Sequence, residues 1–127
     1  MTCPVRASRL ILVVDDDVGI RDSLVECLVS EGHRVSAVAN GHEGIARLRA
    51  GERPDLVVLD LVMPVMNGAQ FLAELRADPG LPRVPVLLMT AASPNGGRGL
   101  PEATGYLSKP FELDDLLDAV ERFAAAE

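Results

Sequence analysis

Three aspartates and one lysine are the residues of this chain best placed to do chemistry. Asp15 and Asp16 close an apolar run, Leu10 to Val14, and Asp60 closes another, Leu56 to Leu59. If those runs are neighbouring parallel strands, three carboxylates meet at one edge of a sheet. Carboxylates gathered in this way repel and raise one another's pKa unless a cation sits among them, so the arrangement is costly for a purely structural protein. It points to a divalent-ion site. Lys109 is the only lysine, every other basic side chain being arginine. A solitary ammonium just after the strand-like segment Gly105 to Ser108 suggests a site that wants a compact point charge rather than a planar fork.

The elements that must position these residues follow from hydrophobic period. Apolar runs of five to six residues alternate with segments of helical spacing, the pattern of a parallel sheet covered by helices on both faces. The spacing predicts a first helix from Val18 to Ser30, with Ile20, Leu24, Cys27 and Leu28 on one stripe and Gly32 ending it. Val35 to Val38 reads as a second strand. Asn40 with Glu43 three residues on resembles a capping box for a second helix through Ile45 and Leu48. Asn67-Gly68 leads into a third helix carrying Phe71, Leu72 and Leu75, and Val84 to Met89 reads as the fourth strand. A last helix, Glu112 to Ala125, is expected to bury Leu113, Leu116, Leu117, Val120 and Phe123, with Glu112, Asp114 and Asp115 at its positive N-terminus. With right-handed crossovers, five such units favour a doubly wound α/β fold.

Composition narrows the function classes. A chain of 127 residues with 12 basic and 19 acidic side chains, net charge −7, suits one domain, and is read as 1–127 with a flexible tail at 1–8 and no output domain. The acidic balance argues against nucleic acid and anionic membrane as partners, since phosphate contacts need clustered Lys and Arg. A basic protein surface fits better. The first apolar run is short and followed at once by aspartates, unlike a signal peptide, and no segment is long enough to span a bilayer, so a cytoplasmic location without membrane insertion is expected. Cys3 and Cys27 do not suggest a disulfide framework. His33 and His42 flank the second strand without ligand spacing and are read as solvated.

VVDDD (13–17), VVLDLVMPVMNG (57–68), VLLMTAA (86–92) and GYLSKPF (105–111) together resemble the receiver domain of bacterial two-component response regulators, of the single-domain type. The match runs over nearly the whole chain, with four motifs in order. The resemblance implies a flavodoxin-like five-stranded parallel sheet in the order 2-1-3-4-5. It further implies phosphorelay signalling: Asp60 accepts a phosphoryl group from a histidine kinase or histidine phosphotransfer protein, and an unidentified downstream protein reads the result. Mg²⁺, with Mn²⁺ as a substitute, is implied on Asp16 and Asp60 directly, on Asp15 largely through water, and on the backbone carbonyl of Val62; Asp17 lies outside this set. Lys109 and the Thr90 hydroxyl are implied to contact the phosphoryl oxygens. Thr90 and Tyr106 are implied as a switch pair, and the Lys109-Pro110 bond as cis. No catalysis is implied beyond the domain's own phosphorylation and dephosphorylation.

Each residue has a plainer reading. Asp15-Asp16-Asp17 alone could be an acidic helix start, Thr90 a strand-terminal hydroxyl bonded to backbone, and Tyr106 half-buried core. A haloacid-dehalogenase-type phosphohydrolase is the competing enzyme: Asp15 and Asp17 supply its D-x-D, but Gly19 stands where that motif needs Thr or Val, and the chain is short for that fold with a cap. A pseudo-receiver that binds without phosphorylation is disfavoured by the intact acids and Lys109. The helix between the fourth and fifth strands is expected to be short or disordered. Pro94, Gly96, Gly97, Gly99, Pro101 and Gly105 lie in that stretch, each Gly costing a helix about 1 kcal/mol and each Pro about 3, and Leu100 is its only large aliphatic residue.

Overall fold

The computed structural model describes residues 9–61, 68–91, 103–109 and 111–124. In chain order these form β1 (Leu10–Val14), α1 (Val18–Ser30), β2 (Arg34–Val38), α2 (Gly41–Arg49), β3 (Leu56–Asp60), α3 (Gly68–Ala77), β4 (Val86–Ala91), β5 (Gly105–Lys109) and α4 (Leu113–Phe123). The sheet is wholly parallel, in the order β2-β1-β3-β4-β5. The tail 1–8 and the helix expected between β4 and β5 lie outside the described residues.

Parallel strands covered on both faces are apolar throughout, and β1 is, as is β3 up to its last residue, Asp60. Alternate side chains divide between two cores. Leu12, Val14, Val57, Leu59 and Leu88 face α2 and α3, where Ile45, Leu48, Phe71 and Leu72 complete one cluster. Ile11, Val13, Leu56, Val58, Leu87 and Met89 face the other way, against Leu24 and Leu28 of α1 and Leu116 and Val120 of α4. Helices α1 and α4 therefore cover one face and α2 and α3 the other, and β1 and β3, adjacent in space, send their carboxyl ends to the point where the winding reverses.

Local chemistry sets the helix ends. Asp17 caps α1 by accepting the Ile20 N–H at 3.1 Å. Gly32, at φ 93°, takes the left-handed conformation that ends it. Asn40 accepts the Glu43 N–H at 3.0 Å, while Glu43 reaches back to the N–H of Ala39 at 2.9 Å, one residue before the partner a capping box would use. Glu112 is the N-cap of α4, and its N–H donates to Asp115 at 3.0 Å.

Four expectations need correction. β4 starts at Val86, not Val84: Pro85 has no N–H to give a ladder, though its carbonyl accepts from Val57 at 3.0 Å, and Val86 N–H donates to the Thr104 hydroxyl at 3.0 Å. Lys109 is the last residue of β5 rather than the one after it. Leu113 is 56% exposed, and the buried stripe of α4 is Leu116, Ala119 and Val120, with Leu117 and Phe123 partly buried against the same core. His33 is buried, not solvated; its Nδ1 accepts the N–H of Arg9 at 3.1 Å, tying the turn after α1 to the entry of β1.

Candidate functional site

The register of the sheet builds the site. Val14 of β1 pairs with Leu59 of β3, so Asp15 and Asp60, each one residue further on, emerge side by side. Asp60 pairs with Met89, which puts Thr90 one step beyond on the next strand, and Ala91 pairs with Lys109 at the end of β5. Four neighbouring strand ends thus carry the aspartates, the threonine and the lysine.

Asp15, Asp16 and Asp60 each offer a carboxylate oxygen, and all three oxygens lie within 4.8 Å of one another. Asp15 and Asp60 are buried while Asp16 is exposed. Three hard oxygen donors at that spacing fit Mg²⁺, which takes one or two carboxylates and fills its shell with water, here from the open Asp16 side. Val62, the implied fourth donor, lies outside the described residues, as does Pro110 of the implied cis bond.

The backbone carrying the acid pair is held at several points. Asp15 N–H donates to Val38 carbonyl at 3.2 Å, Asp15 Oδ1 accepts the Asp17 N–H at 2.9 Å, and Arg21 N–H donates to Asp17 carbonyl at 2.8 Å. Arg21 Nη1 also donates to the Asp15 carbonyl at 2.9 Å. Sequence reasoning missed Arg21. The available signal was an arginine one turn along a helix whose cap is Asp17, where the side chain can turn back toward the preceding strand end. Asp17 itself is committed to the α1 cap.

The start of α3 is held against the end of β3: Gly68 N–H donates to the Leu61 carbonyl at 2.8 Å. A Cβ on Gly68 would sit 2.9 Å from Leu61 Cα and 3.1 Å from the Asp60 carbonyl oxygen, so glycine is what lets α3 begin against the residue that carries the carboxylate. Thr90 is buried at the end of β4. Tyr106 is not core: the residue is 44% exposed, and its hydroxyl accepts the Ala103 N–H at 3.0 Å. A cleft of about 840 Å³ lies at the opposite end of the sheet, between α3 and residues 78–86, and includes none of the three acids. Carboxylates arranged at an open edge suit an ion and a transferred group, not an enclosed small molecule.

A family model for the response regulator receiver domain matches residues 11–121. Response regulator MprA of Mycolicibacterium vanbaalenii is 41% identical over 110 residues, 84% of this chain and 46% of that protein. DNA-binding response regulator MtrA of Mycobacterium tuberculosis is 37% identical over 113 residues, 87% of this chain and 48% of that protein. The chain spans about half the length of these curated relatives. Among solved structures, chemotaxis protein CheY4 of Vibrio cholerae is similar with a TM-score of 0.79 at 33% identity, covering 91% of this chain and 98% of that one. So is the receiver domain of a sensor histidine kinase from Pseudomonas aeruginosa, with magnesium ion coordinated in its active site cleft, at a TM-score of 0.79 and 30% identity over 92% of this chain and 98% of that one.

Proposed function

The chain belongs to the response regulator receiver domain family of two-component systems, and from that premise we propose that it is a phosphoacceptor module, modified on Asp60 and read by a protein partner. The observation that supports this most is the gathering of Asp15, Asp16 and Asp60 at the ends of two adjacent strands, their oxygens within 4.8 Å. In this reading a carboxylate oxygen of Asp60 attacks the phosphorus of a phosphohistidine on a kinase or phosphotransfer protein. The new P–O bond forms as the P–N bond breaks, the leaving nitrogen keeps the electron pair, and the imidazole, already protonated on its other ring nitrogen, leaves neutral. Water later attacks the same phosphorus, the bond from phosphorus to the Asp60 oxygen breaks, and inorganic phosphate carrying the water's protons leaves as the carboxylate is restored.

The loose transition state of phosphoryl transfer spreads charge over three oxygens, so positioning and neutralisation are what the domain must supply. Mg²⁺ held by Asp16 and Asp60, with Asp15 and the Val62 carbonyl in support, would provide that neutralisation when bound. Lys109 supplies a second positive charge from the end of β5, and Thr90 a hydroxyl from the end of β4. Thr90 and Tyr106 form the switch: the hydroxyl moves toward the phosphoryl group, and the exposed Tyr106 ring turns into the space it leaves. A charge change at Asp60 thereby alters the β4-β5 surface that the partner reads.

We read residues 1–127 as one receiver unit acting in the cytoplasm. No helix among the described residues is long and apolar enough to cross a membrane. With a net charge of −7 the domain is better suited to a basic protein surface than to nucleic acid, even though relatives such as MtrA are DNA-binding. Its chemistry is confined to its own phosphorylation and dephosphorylation. Incubation with Mg²⁺ and acetyl phosphate should add one phosphoryl group by intact-mass measurement, and Asp60→Asn should prevent it. Equal labelling of Asp60→Asn would overturn the assignment.

A further inference from the structure

We propose that Arg21 is a positioning residue for the cation site, acting through the peptide that joins Asp15 to Asp16. This rests on the reading of the acid cluster as an Mg²⁺ site. Asp15 and Asp17 are each fixed by the chain's own hydrogen bonds: Asp15 through its N–H to Val38, and Asp17 through its N–H to Asp15 Oδ1 and its carbonyl to Arg21 N–H. Between them Asp16 is exposed, with its side chain free of the core. The plane of the Asp15-Asp16 peptide sets the direction in which the Asp16 side chain leaves the backbone. One end of that plane, the Asp15 carbonyl, is held by Arg21 Nη1 at 2.9 Å.

Arg21 can do this because α1 fixes it. Its own N–H closes the first turn on Asp17, and it stands half-buried at the junction of α1 with the strand end. A donor that orients the backbone of a ligand improves metal affinity, and losing such outer partners typically weakens binding roughly 10- to 100-fold. Arg21 is also a positive charge beside a site for a dication, which by itself disfavours metal binding. The two effects have opposite signs, so removing Arg21 separates them. If charge dominates, binding tightens; if the grip on the carbonyl dominates, binding weakens.

The test is calorimetric Mg²⁺ titration of the whole chain, with thermal unfolding in the absence of Mg²⁺ to establish that each variant is folded. Arg21→Met keeps the aliphatic length and loses donor and charge together; it should bind Mg²⁺ about tenfold more weakly. Arg21→Lys keeps a donor and the charge and should stay within about threefold of the parent, against the at least tenfold loss of a missing outer partner. Should Arg21→Met not fold, Arg21→Gln serves instead: it removes the charge and shortens the reach, so weaker binding supports the grip and tighter binding refutes it. A parent that binds Mg²⁺ while Arg21→Met binds equally or more tightly overturns the positioning role alone. A parent that does not bind Mg²⁺ overturns the metal-site reading and this inference with it.

Discussion

Asp17 accepts the Ile20 N–H at the start of α1, whereas its neighbour Asp16 is exposed and shares a 4.8 Å cluster with Asp15 and Asp60. Chemically identical side chains at consecutive positions therefore carry separable jobs. Asp17→Ala should lower unfolding stability by about 1 kcal/mol, the usual worth of an N-cap, while leaving Mg²⁺ affinity near that of the parent. Asp16→Ala should do the reverse, weakening Mg²⁺ binding without loss of stability in its absence, because one of three mutually repelling carboxylates is gone. Urea denaturation and calorimetry on the two variants measure both quantities, and equal loss of metal affinity in both would contradict the division. Cys27 illustrates a residue with no such job. Burial, with Glu31 and Asp114 adding to it, pushes its thiol above the ordinary cysteine range, so it stays protonated and packs against the α1–α4 core.

Two pairs of elements depend on contacts that a single atom would disturb. Gly105 opens β5 directly beneath Phe123 of α4, and a Cβ there would lie 2.5 Å from Cε2 and 2.7 Å from Cδ2 and Cζ of the ring. Gly105→Ala should cost about 1–3 kcal/mol as an overpacking substitution. Adding Phe123→Ala should recover part of that loss, so that a double-mutant cycle by urea denaturation shows the pair costing less than the two singles summed. Simple additivity would place the strain elsewhere. On the other face of the sheet, Arg49 of α2 reaches Glu74 of the neighbouring α3 at 3.3 Å and Asp78 at 3.2 Å. The Gly80 N–H, and then Arg49, hold the Asp78 carboxyl below the usual carboxylate range. A depressed folded pKa stabilises at pH above the unfolded carboxylate value, and that contribution disappears as pH falls through the depressed value. Asp78→Asn keeps an acceptor for Gly80 but not the charge, so its stability should fall below the parent's at neutral pH and converge with it in acid, as followed by denaturation over a pH series. The sequence made β1 and α1 readable to the residue because their determinants are local: an unbroken apolar run, a capping aspartate and a terminating glycine. His33 and Arg21 were illegible for the opposite reason. Their meaning lies in bonds to Arg9 and to the Asp15 carbonyl, which exist only once α1 has folded back against the sheet. The three acids were legible as a cluster because strand order alone brings their positions together, whereas the outward turn of Tyr106 depends on its bond to Ala103.

At the scale of the whole molecule, folding creates the acid cluster, since Asp60 reaches Asp15 and Asp16 only when β3 has paired with β1. The unfolded chain has no equivalent site, so Mg²⁺ should raise the melting temperature by mass action, worth about 2.7 kcal/mol at a free concentration roughly 100 times Kd. Asp60→Asn should remove most of that response in a thermal melt, and an undiminished response would place the cation elsewhere. The composition bears on how such changes can be observed. The chain contains one tyrosine and no tryptophan. Its near-ultraviolet emission therefore comes almost wholly from a single exposed side chain on β5, with its hydroxyl tied to the segment that enters the strand. Most proteins need an attached dye to report on one place; this one is born with its reporter on the edge strand β5. A ring that turned inward would lose its access to a dissolved quencher such as iodide or acrylamide. If Tyr106 turns inward on phosphorylation, as proposed, the fraction of emission that resists quenching should rise with acetyl phosphate and Mg²⁺, and an unchanged fraction would count against the switch.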